Sequence, residues 1–350
     1  MIEDDTGDIV IRREGRAGRI TLNRPDAMNA LTYPMCRALD AALTDWADTP
    51  GVALVVIDAA GHRAFCAGGD IAELYVEGRA GNFGHGRDFW RDEYRMNDRI
   101  RRYPKPVVSL MQGFTMGGGV GVGCHASHRV AGETSQIAMP ECAIGLVPDV
   151  GGSFLLAHAP GRLGAFLGLT GTRMGAADAL LAGFADHFVP EADWSALTAD
   201  LCDTGDAGLV AQAASPAPPG RLADRRQDID RLFAPDDLVA ILAALDAAPG
   251  SFAAECRAAL ARVSPLAAAA HLQILRRLGP SPTMRDALDL EFRFTWRAQE
   301  ESDFLEGIRA AVIDKDRTPR WRHASAAEVP PALVDHLLSP LGAEALTFPE

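Results

Sequence analysis

Short apolar segments alternate with helical patterns over the first 190 residues of the chain. The predicted strands cover residues 9–12, 19–22, 52–58, 106–111, 128–131 and 186–189. Residues 52–58 and 106–111 are continuous apolar runs, which is typical of parallel strands that are buried on both faces. Between the strands, apolar residues recur at helical spacing from Thr32 to Asp48, and Thr32 is a suitable N-cap. This alternation predicts an α/β fold.

The pattern becomes helical after a proline-rich segment. Residues 215–220, SPAPPG, are the best linker candidate in the chain and lie within a wider transition near residues 203–226. Helical patterns then cover residues 238–247, 251–263, 265–277 and 283–300. The sequence therefore predicts an α/β core over residues 1–190 and a mostly helical region over residues 191–350.

Composition excludes several classes of function. The 350 residues carry a formal net charge of −13, whereas binders of nucleic acid or of anionic membranes need a basic excess. The six cysteines form no C-x-x-C pair, so neither a disulfide framework nor a zinc ribbon is expected. No apolar run approaches the ~18 residues of a membrane span. The acidic start, MIEDD, is unlike a signal or transit peptide. We therefore expect a cytoplasmic protein.

Two glycine-rich segments can present unpaired backbone N–H groups. The first, residues 64–71 (AFCAGGDI), follows a predicted strand, and the second, residues 116–123 (MGGGVGVG), opens a predicted helix. Such N–H groups can donate to an oxygen that gains negative charge during a reaction. Alternatively, the first segment is an ordinary tight turn. The glycines of the second segment could instead serve close packing of helices. Neither segment is a nucleotide-binding G-x-G-x-x-G or P-loop motif.

Two carboxylates in an apolar segment are the candidate acid–base groups. Residues 139–152 (MPECAIGLVPDVGG) place Glu141 and Asp149 eight positions apart. Apolar surroundings disfavour the charged form of a carboxylate, and proteins tune acid–base groups in this way. Asp149 could alternatively cap a helix that starts at Val150. The chain has no G-x-S-x-G motif and no convincing set of metal ligands.

In this order and spacing, the three segments resemble the crotonase (enoyl-CoA hydratase/isomerase) superfamily. The resemblance extends from about residue 10 to about residue 340 and implies a core of crotonase-like ββα spiral units followed by a helical C-terminal region. It also implies that the N–H groups of Gly69 and Gly118 bind the thioester oxygen of an acyl-CoA. Hydratases of the family carry a second catalytic Glu at the position of Gly121, and this chain does not.

The Glu141 and Asp149 segment is instead similar to the 3-hydroxyisobutyryl-CoA hydrolase subfamily. The resemblance includes residues 91–94 (RDEY), in which Glu93 would bind the 3-hydroxyl group of the substrate. It implies hydrolysis of a short branched 3-hydroxyacyl-CoA, with 3-hydroxyisobutyryl-CoA from valine catabolism as the first candidate. Glu141 would either attack the thioester to form a mixed anhydride or activate water, and Asp149 would position the substrate hydroxyl or the water.

Coenzyme A would then be part of the substrate and not a retained cofactor, and no metal is expected. Two alternatives stay open at this point. One is an enoyl-CoA hydratase or isomerase that uses Glu141 alone. The other is a non-catalytic acyl-CoA-binding protein, which would not need paired acids. The family often forms oligomers, so a homo-oligomer is compatible with the resemblance.

Overall fold

The computed structural model describes residues 2–3 and 7–348, so most of the acidic start of the chain lies outside the described residues. The chain forms two compact units, each assembled from three segments. The first unit consists of residues 1–69, 92–138 and 173–223, and the second consists of residues 70–91, 139–172 and 224–350. The units therefore do not follow a single boundary at residue 190.

The first unit contains two sheets. In chain order, the strands are β1 (Ile2–Glu3), β2 (Ile9–Glu14), β3 (Ala17–Leu22), β4 (Leu54–Ala59), β5 (Ala64–Cys66), β6 (Val107–Met111), β7 (Phe114–Met116), β8 (His128–Ala131), β9 (Gln136–Ala138) and β10 (His187–Phe188). The larger sheet has the order β1-β2-β3-β4-β6-β8-β10 and is parallel from β3 onward. The second sheet, β5-β7-β9, is entirely parallel. The strand predictions are thus confirmed for the larger sheet.

Sixteen α-helices connect or follow these strands in the part of the chain that the structure describes. They are α1 (Tyr33–Ala47), α2 (Ile71–Arg79), α3 (Phe83–Arg101), α4 (Gly118–Gly123), α5 (Gly152–His158), α6 (Leu163–Thr170), α7 (Ala176–Ala182), α8 (Trp194–Thr204), α9 (Gly208–Ala213), α10 (Leu222–Leu232), α11 (Leu238–Ala247), α12 (Ser251–Leu260), α13 (Pro265–Leu278), α14 (Met284–Glu301), α15 (Phe304–Ile308) and α16 (Pro331–Leu337).

Local chemistry starts several of these helices. The Thr32 hydroxyl accepts a hydrogen bond from the Met35 amide at the start of α1, as its sequence predicts. Thr283 and Asp286 form a reciprocal capping box at the start of α14. In the first unit, the apolar side chains of β4, β6 and β8 pack against α8 and α9 and form one buried cluster. Burial of this cluster stabilises the sheet that supports the loops described below.

The described residues of the second unit form helices joined by loops, without strands. Its middle segment begins with a 3-10 turn, Glu141–Ile144, and continues through a loop to α5. The SPAPPG segment, which belongs to the first unit, contains neither helix nor strand, although α9 and the start of α10 fall inside the wider predicted transition. Among the described residues, no single helix meets the length and hydropathy needed to cross a membrane, and one sharply bent helix pair meets them by length and composition only.

Candidate active site

The two glycine-rich loops of the first unit meet. They follow β5 and β7, which are parallel neighbours, and the carboxyl ends of parallel strands lie at the same edge of a sheet. A β-carbon built on Gly118 would lie only 3.2 Å from the Gly69 amide nitrogen. Within the described residues, neither the Gly69 N–H nor the Gly118 N–H donates to a protein acceptor. The structure therefore brings together two amide donors that are available to a ligand.

Glu93 lies beside this pair of glycines. It is buried on α3, and the same β-carbon on Gly118 would lie 2.9 Å from Glu93 Oε1. The nearby Cys66 is not an alternative nucleophile, because burial raises the pKa of its thiol to about 12. The first unit thus contains three of the predicted site residues, Gly69, Gly118 and Glu93, in one place.

The second unit contains Glu141 as a buried carboxyl group. Its side chain is buried at the start of the 3-10 turn, and its Oε2 has no hydrogen-bond partner among the described residues. Burial raises the pKa of Glu141 well above its usual range, and the charges of Asp149 and Glu291 raise it further. Such a carboxyl group resists ionisation and is a strong base once it is ionised.

Asp149 is not the N-cap residue of the helix that follows it. The helix α5 begins at Gly152, and its N-cap is Gly151, which has no side chain to cap it. Asp149 is buried, and it is followed by Val150 and Gly151 in left-handed conformations, with φ angles of 54° and 78°. A β-branched residue seldom adopts this conformation, and backbone strain of this kind concentrates at functional sites. The alternative interpretation of Asp149 as the N-cap residue of this helix is therefore wrong.

Glu291 is a residue of the second unit that the sequence analysis missed. It is completely buried on α14 and accepts hydrogen bonds from the Gly151 amide (2.8 Å), the Ser153 amide (2.9 Å) and the Ser153 hydroxyl. Burial raises the pKa of Glu291 to about 8. An acidic residue in an amphipathic helix normally faces solvent, so the sequence offered no signal that this one is buried.

The described residues contain no cluster of three or more His, Cys, Asp or Glu side chains that could hold a metal ion.

The candidate catalytic groups lie in two sets of residues, one in each unit. The first unit provides backbone N–H donors that can stabilise a developing negative charge on oxygen. The second unit provides the buried carboxyl groups of Glu141 and Asp149, and the protonation of Glu141 is tuned by burial and by neighbouring charge.

Comparisons with known proteins identify the relatives of this chain. The model of the enoyl-CoA hydratase/isomerase family matches residues 17–338. The mitochondrial 3-hydroxyisobutyryl-CoA hydrolase of Gallus gallus is 36% identical over 97% of this chain and 90% of its own length. The Bos taurus protein of the same name is 38% identical, over 99% of this chain and 92% of its own length.

Two solved structures are also similar over nearly the whole chain. One, described as an enoyl-CoA hydratase from Rhodobacter sphaeroides, is 63% identical, with a TM-score of 0.94 and coverage of 97% of this chain and 100% of that chain. The other, described as a carnitinyl-CoA dehydratase from Mycobacterium thermoresistibile, is 40% identical, with a TM-score of 0.93 and coverage of 97% and 98%. Together these matches confirm the family resemblance and the crotonase-like α/β fold predicted from the sequence.

Proposed function

Because the chain belongs to the enoyl-CoA hydratase/isomerase family, we propose that it hydrolyses the thioester of 3-hydroxyisobutyryl-CoA, a step of valine breakdown. The observation that carries the proposal is the buried pair Glu141 and Asp149, held in a 3-10 turn and a strained loop. The names of the curated relatives support the same reaction. A buried carboxyl pair is costly to maintain, which argues against a protein that only binds acyl-CoA.

One specific observation favours a second candidate. The relative of known structure from Rhodobacter sphaeroides is described as an enoyl-CoA hydratase. Hydration needs two carboxylates that hold and activate one water molecule, and the position of the second one is occupied here by Gly121. Gly121 lies buried within α4 and brings no side chain. The hydrolase is therefore the better supported of the two reactions.

In the proposed reaction, the thioester oxygen accepts hydrogen bonds from the N–H groups of Gly69 and Gly118. Negative charge develops on this oxygen when the carbonyl carbon is attacked, and fixed donors stabilise it without reorganisation of solvent. Each donor of this kind contributes about 3 kcal/mol in comparable sites. The nearby Glu93 carboxylate accepts a hydrogen bond from the 3-hydroxyl group of the substrate.

Glu141 supplies the main catalytic carboxylate. In one route its carboxylate attacks the carbonyl carbon, coenzyme A leaves as the thiolate and takes a proton from solvent, and water then hydrolyses the resulting mixed anhydride to the product acid and the Glu141 carboxylate. In the other route it removes a proton from the water that attacks directly. Asp149 positions the substrate hydroxyl or the water. A single turnover in ¹⁸O-labelled water tests for the anhydride: label in Glu141 identifies an anhydride that water opens at the Glu141 carbonyl, whereas water that attacks the acyl carbonyl labels only the product acid in either route.

Coenzyme A enters as part of the substrate and leaves as a product, so the proposal includes no retained cofactor. The curated relatives are named as mitochondrial proteins. The cytoplasmic location and the homo-oligomer accordingly stay predictions from the sequence. Fractionation of cells that express the intact chain, and the mass of the purified protein in solution, test these two points.

One assay tests the proposed reaction against its alternatives. The purified protein is incubated with 3-hydroxyisobutyryl-CoA and, separately, with crotonyl-CoA, while free thiol and enoyl absorbance are followed. We expect thiol release from the first substrate, its loss in Glu141→Gln, and its retention in Glu300→Gln, which changes an exposed carboxylate paired with Arg87. Loss of enoyl absorbance without thiol release would identify a hydratase. If neither thiol release nor loss of enoyl absorbance is observed, the protein binds acyl-CoA without converting it.

A further inference from the structure

We propose that Glu291 is a positioning residue for this hydrolysis: it holds the turn that presents Asp149, although it is remote from that turn in sequence. The inference rests on the proposed function in so far as it concerns catalysis. Glu291 contacts the turn that follows Asp149, and its proposed role requires no contact with the substrate.

The contacts of Glu291 converge on the residues that follow Asp149. One carboxylate oxygen accepts from the Gly151 amide, and the other accepts from the Ser153 amide and hydroxyl. The N-cap residue of α5, Gly151, has no side chain that could accept from the first amides of the helix, and the Glu291 carboxyl group on α14 accepts from two amides there. Together these hydrogen bonds define the path of the chain over three residues.

The turn needs such support because it is strained. Val150 occupies a left-handed conformation that suits glycine and disfavours a β-branched side chain. A strained backbone conformation persists only when several neighbouring interactions hold it in place. Glu291 contributes two acceptor oxygens that hold the turn. Without them, Val150 could relax and carry the adjacent Asp149 carboxylate away from its position.

The same turn also contacts the Glu141 segment. A β-carbon on Gly152 would lie 2.4 Å from the terminal methyl carbon of Met139, two residues before Glu141. The turn and the Glu141 segment therefore pack without space between them at this point. This contact also restricts the position of the turn that presents Asp149.

Stability alone does not explain an acid at this position. Burial of an ionisable group is costly, and apolar side chains of similar volume often serve stability equally well or better. Glu291 instead places two acceptors on one rigid helix, and they match the donors of the turn. Residues that do not react themselves but fix the position of a reacting group can strongly affect the rate, since a displacement of 1 Å can lower it about a hundredfold.

Kinetics of Glu291→Gln test the catalytic part of this inference. The amide can satisfy only some of the three donors, so we expect kcat to fall about ten- to a hundredfold with KM nearly unchanged. Ser153→Ala, which removes one donor, should show a smaller loss of the same kind. Glu300→Gln, an exposed position on the same helix, serves as the matched control.

A double-mutant cycle with Asp149→Asn separates positioning from general destabilisation. If Glu291 acts through Asp149, adding Glu291→Gln to Asp149→Asn should lower kcat/KM by less than about threefold. If the double variant instead loses kcat/KM by the product of the two single losses, the inference is overturned. The hydrolase proposal is unaffected by that result. If Glu291→Gln does not fold, Ser153→Ala takes its place in the cycle.

Hydrogen exchange provides a readout that does not depend on activity. The amides of residues 149–156 should exchange faster in Glu291→Gln or Ser153→Ala than in the wild-type chain, with little change in other buried helices. Unchanged exchange in this segment would overturn the inference. Absence of thiol release by the wild-type protein would instead overturn the proposed function, and exchange would still decide whether Glu291 holds the turn.

Discussion

Gly118 and Glu93 approach so closely that a β-carbon on Gly118 would lie 2.9 Å from Glu93 Oε1. The same carbon would crowd the Gly69 amide, whose N–H is the second proposed donor. Only glycine at position 118 therefore allows the carboxylate and the two amides to share this space. This relationship and the charges around Glu141 lead to four predictions.

Gly118→Ala should inactivate the protein with little loss of stability. The added carbon displaces the Glu93 carboxylate or the Gly69 amide, and loss of one donor of this type costs about 10²- to 10³-fold in kcat. Thiol release and thermal unfolding measure the two quantities. Gly175→Ala is the matched control, because a β-carbon there has no neighbour within 4 Å and φ is −73°. Activity near that of the wild type in Gly118→Ala would contradict the proposed donor pair.

The rate should increase with pH and respond to the charge of Asp149. Glu141 must be ionised to act as base or nucleophile, and burial raises its pKa. Below this pKa, kcat/KM should rise about tenfold per pH unit. Asp149 raises the same pKa, so Asp149→Asn should shift the midpoint of the profile to lower pH while it lowers the maximal rate. A midpoint that stays fixed or moves upward would contradict the charge coupling.

Glu291 should make the folded protein less stable as pH rises. Its folded-state pKa, about 8, lies above its ordinary value, so the folded state holds this proton more tightly than the unfolded state. The contribution to the free energy of unfolding is complete below the unfolded pKa of about 4.3, and it is lost as pH rises through the folded pKa. One such group contributes a slope of at most about 1.4 kcal/mol per pH unit.

Urea unfolding of the wild type and of Glu291→Gln at several pH values between about 5 and 8 measures this slope. The stability of the wild type relative to the variant should decrease as pH rises. Glu300→Gln, at an exposed position, should show no such trend. A constant difference between wild type and Glu291→Gln would mean that Glu291 titrates alike in the folded and unfolded chains.

Glu93→Ala should reduce the preference for a hydroxylated acyl chain. The comparison is between 3-hydroxyisobutyryl-CoA and isobutyryl-CoA, which differ only in the hydroxyl group. A site built to bind a hydroxyl rejects the analogue that lacks it, because its own polar group is then left unsatisfied. We expect the ratio of kcat/KM values to fall roughly ten- to a hundredfold in Glu93→Ala and less in Glu93→Gln, which keeps an acceptor. An unchanged ratio would remove Glu93 from hydroxyl recognition.

Much of the fold could be predicted from the sequence where the signal is local. The Thr32 cap, the apolar strand Val107–Met111 and the helix Leu238–Ala247 each follow from neighbouring residues. The strands β5, β7 and β9 were not predicted, because three residues are too few to show an alternating pattern. The helix α3 was not predicted either. Its N-terminal half contains glycine and charged residues that weaken a helical pattern.

The sequence by itself determined which chemical groups the protein possesses: two glycine loops, the acids Glu141 and Asp149, and Gly121 where a hydratase carries an acid. Only the tertiary structure decided what these groups can do. Among the described residues, it left the Gly69 and Gly118 amides without protein acceptors, and it placed Gly151, not Asp149, at the N-cap of α5. It also brought Glu291 to Gly151 across 140 residues of chain. Burial and proximity of this kind arise from long-range packing, which local residue patterns do not encode.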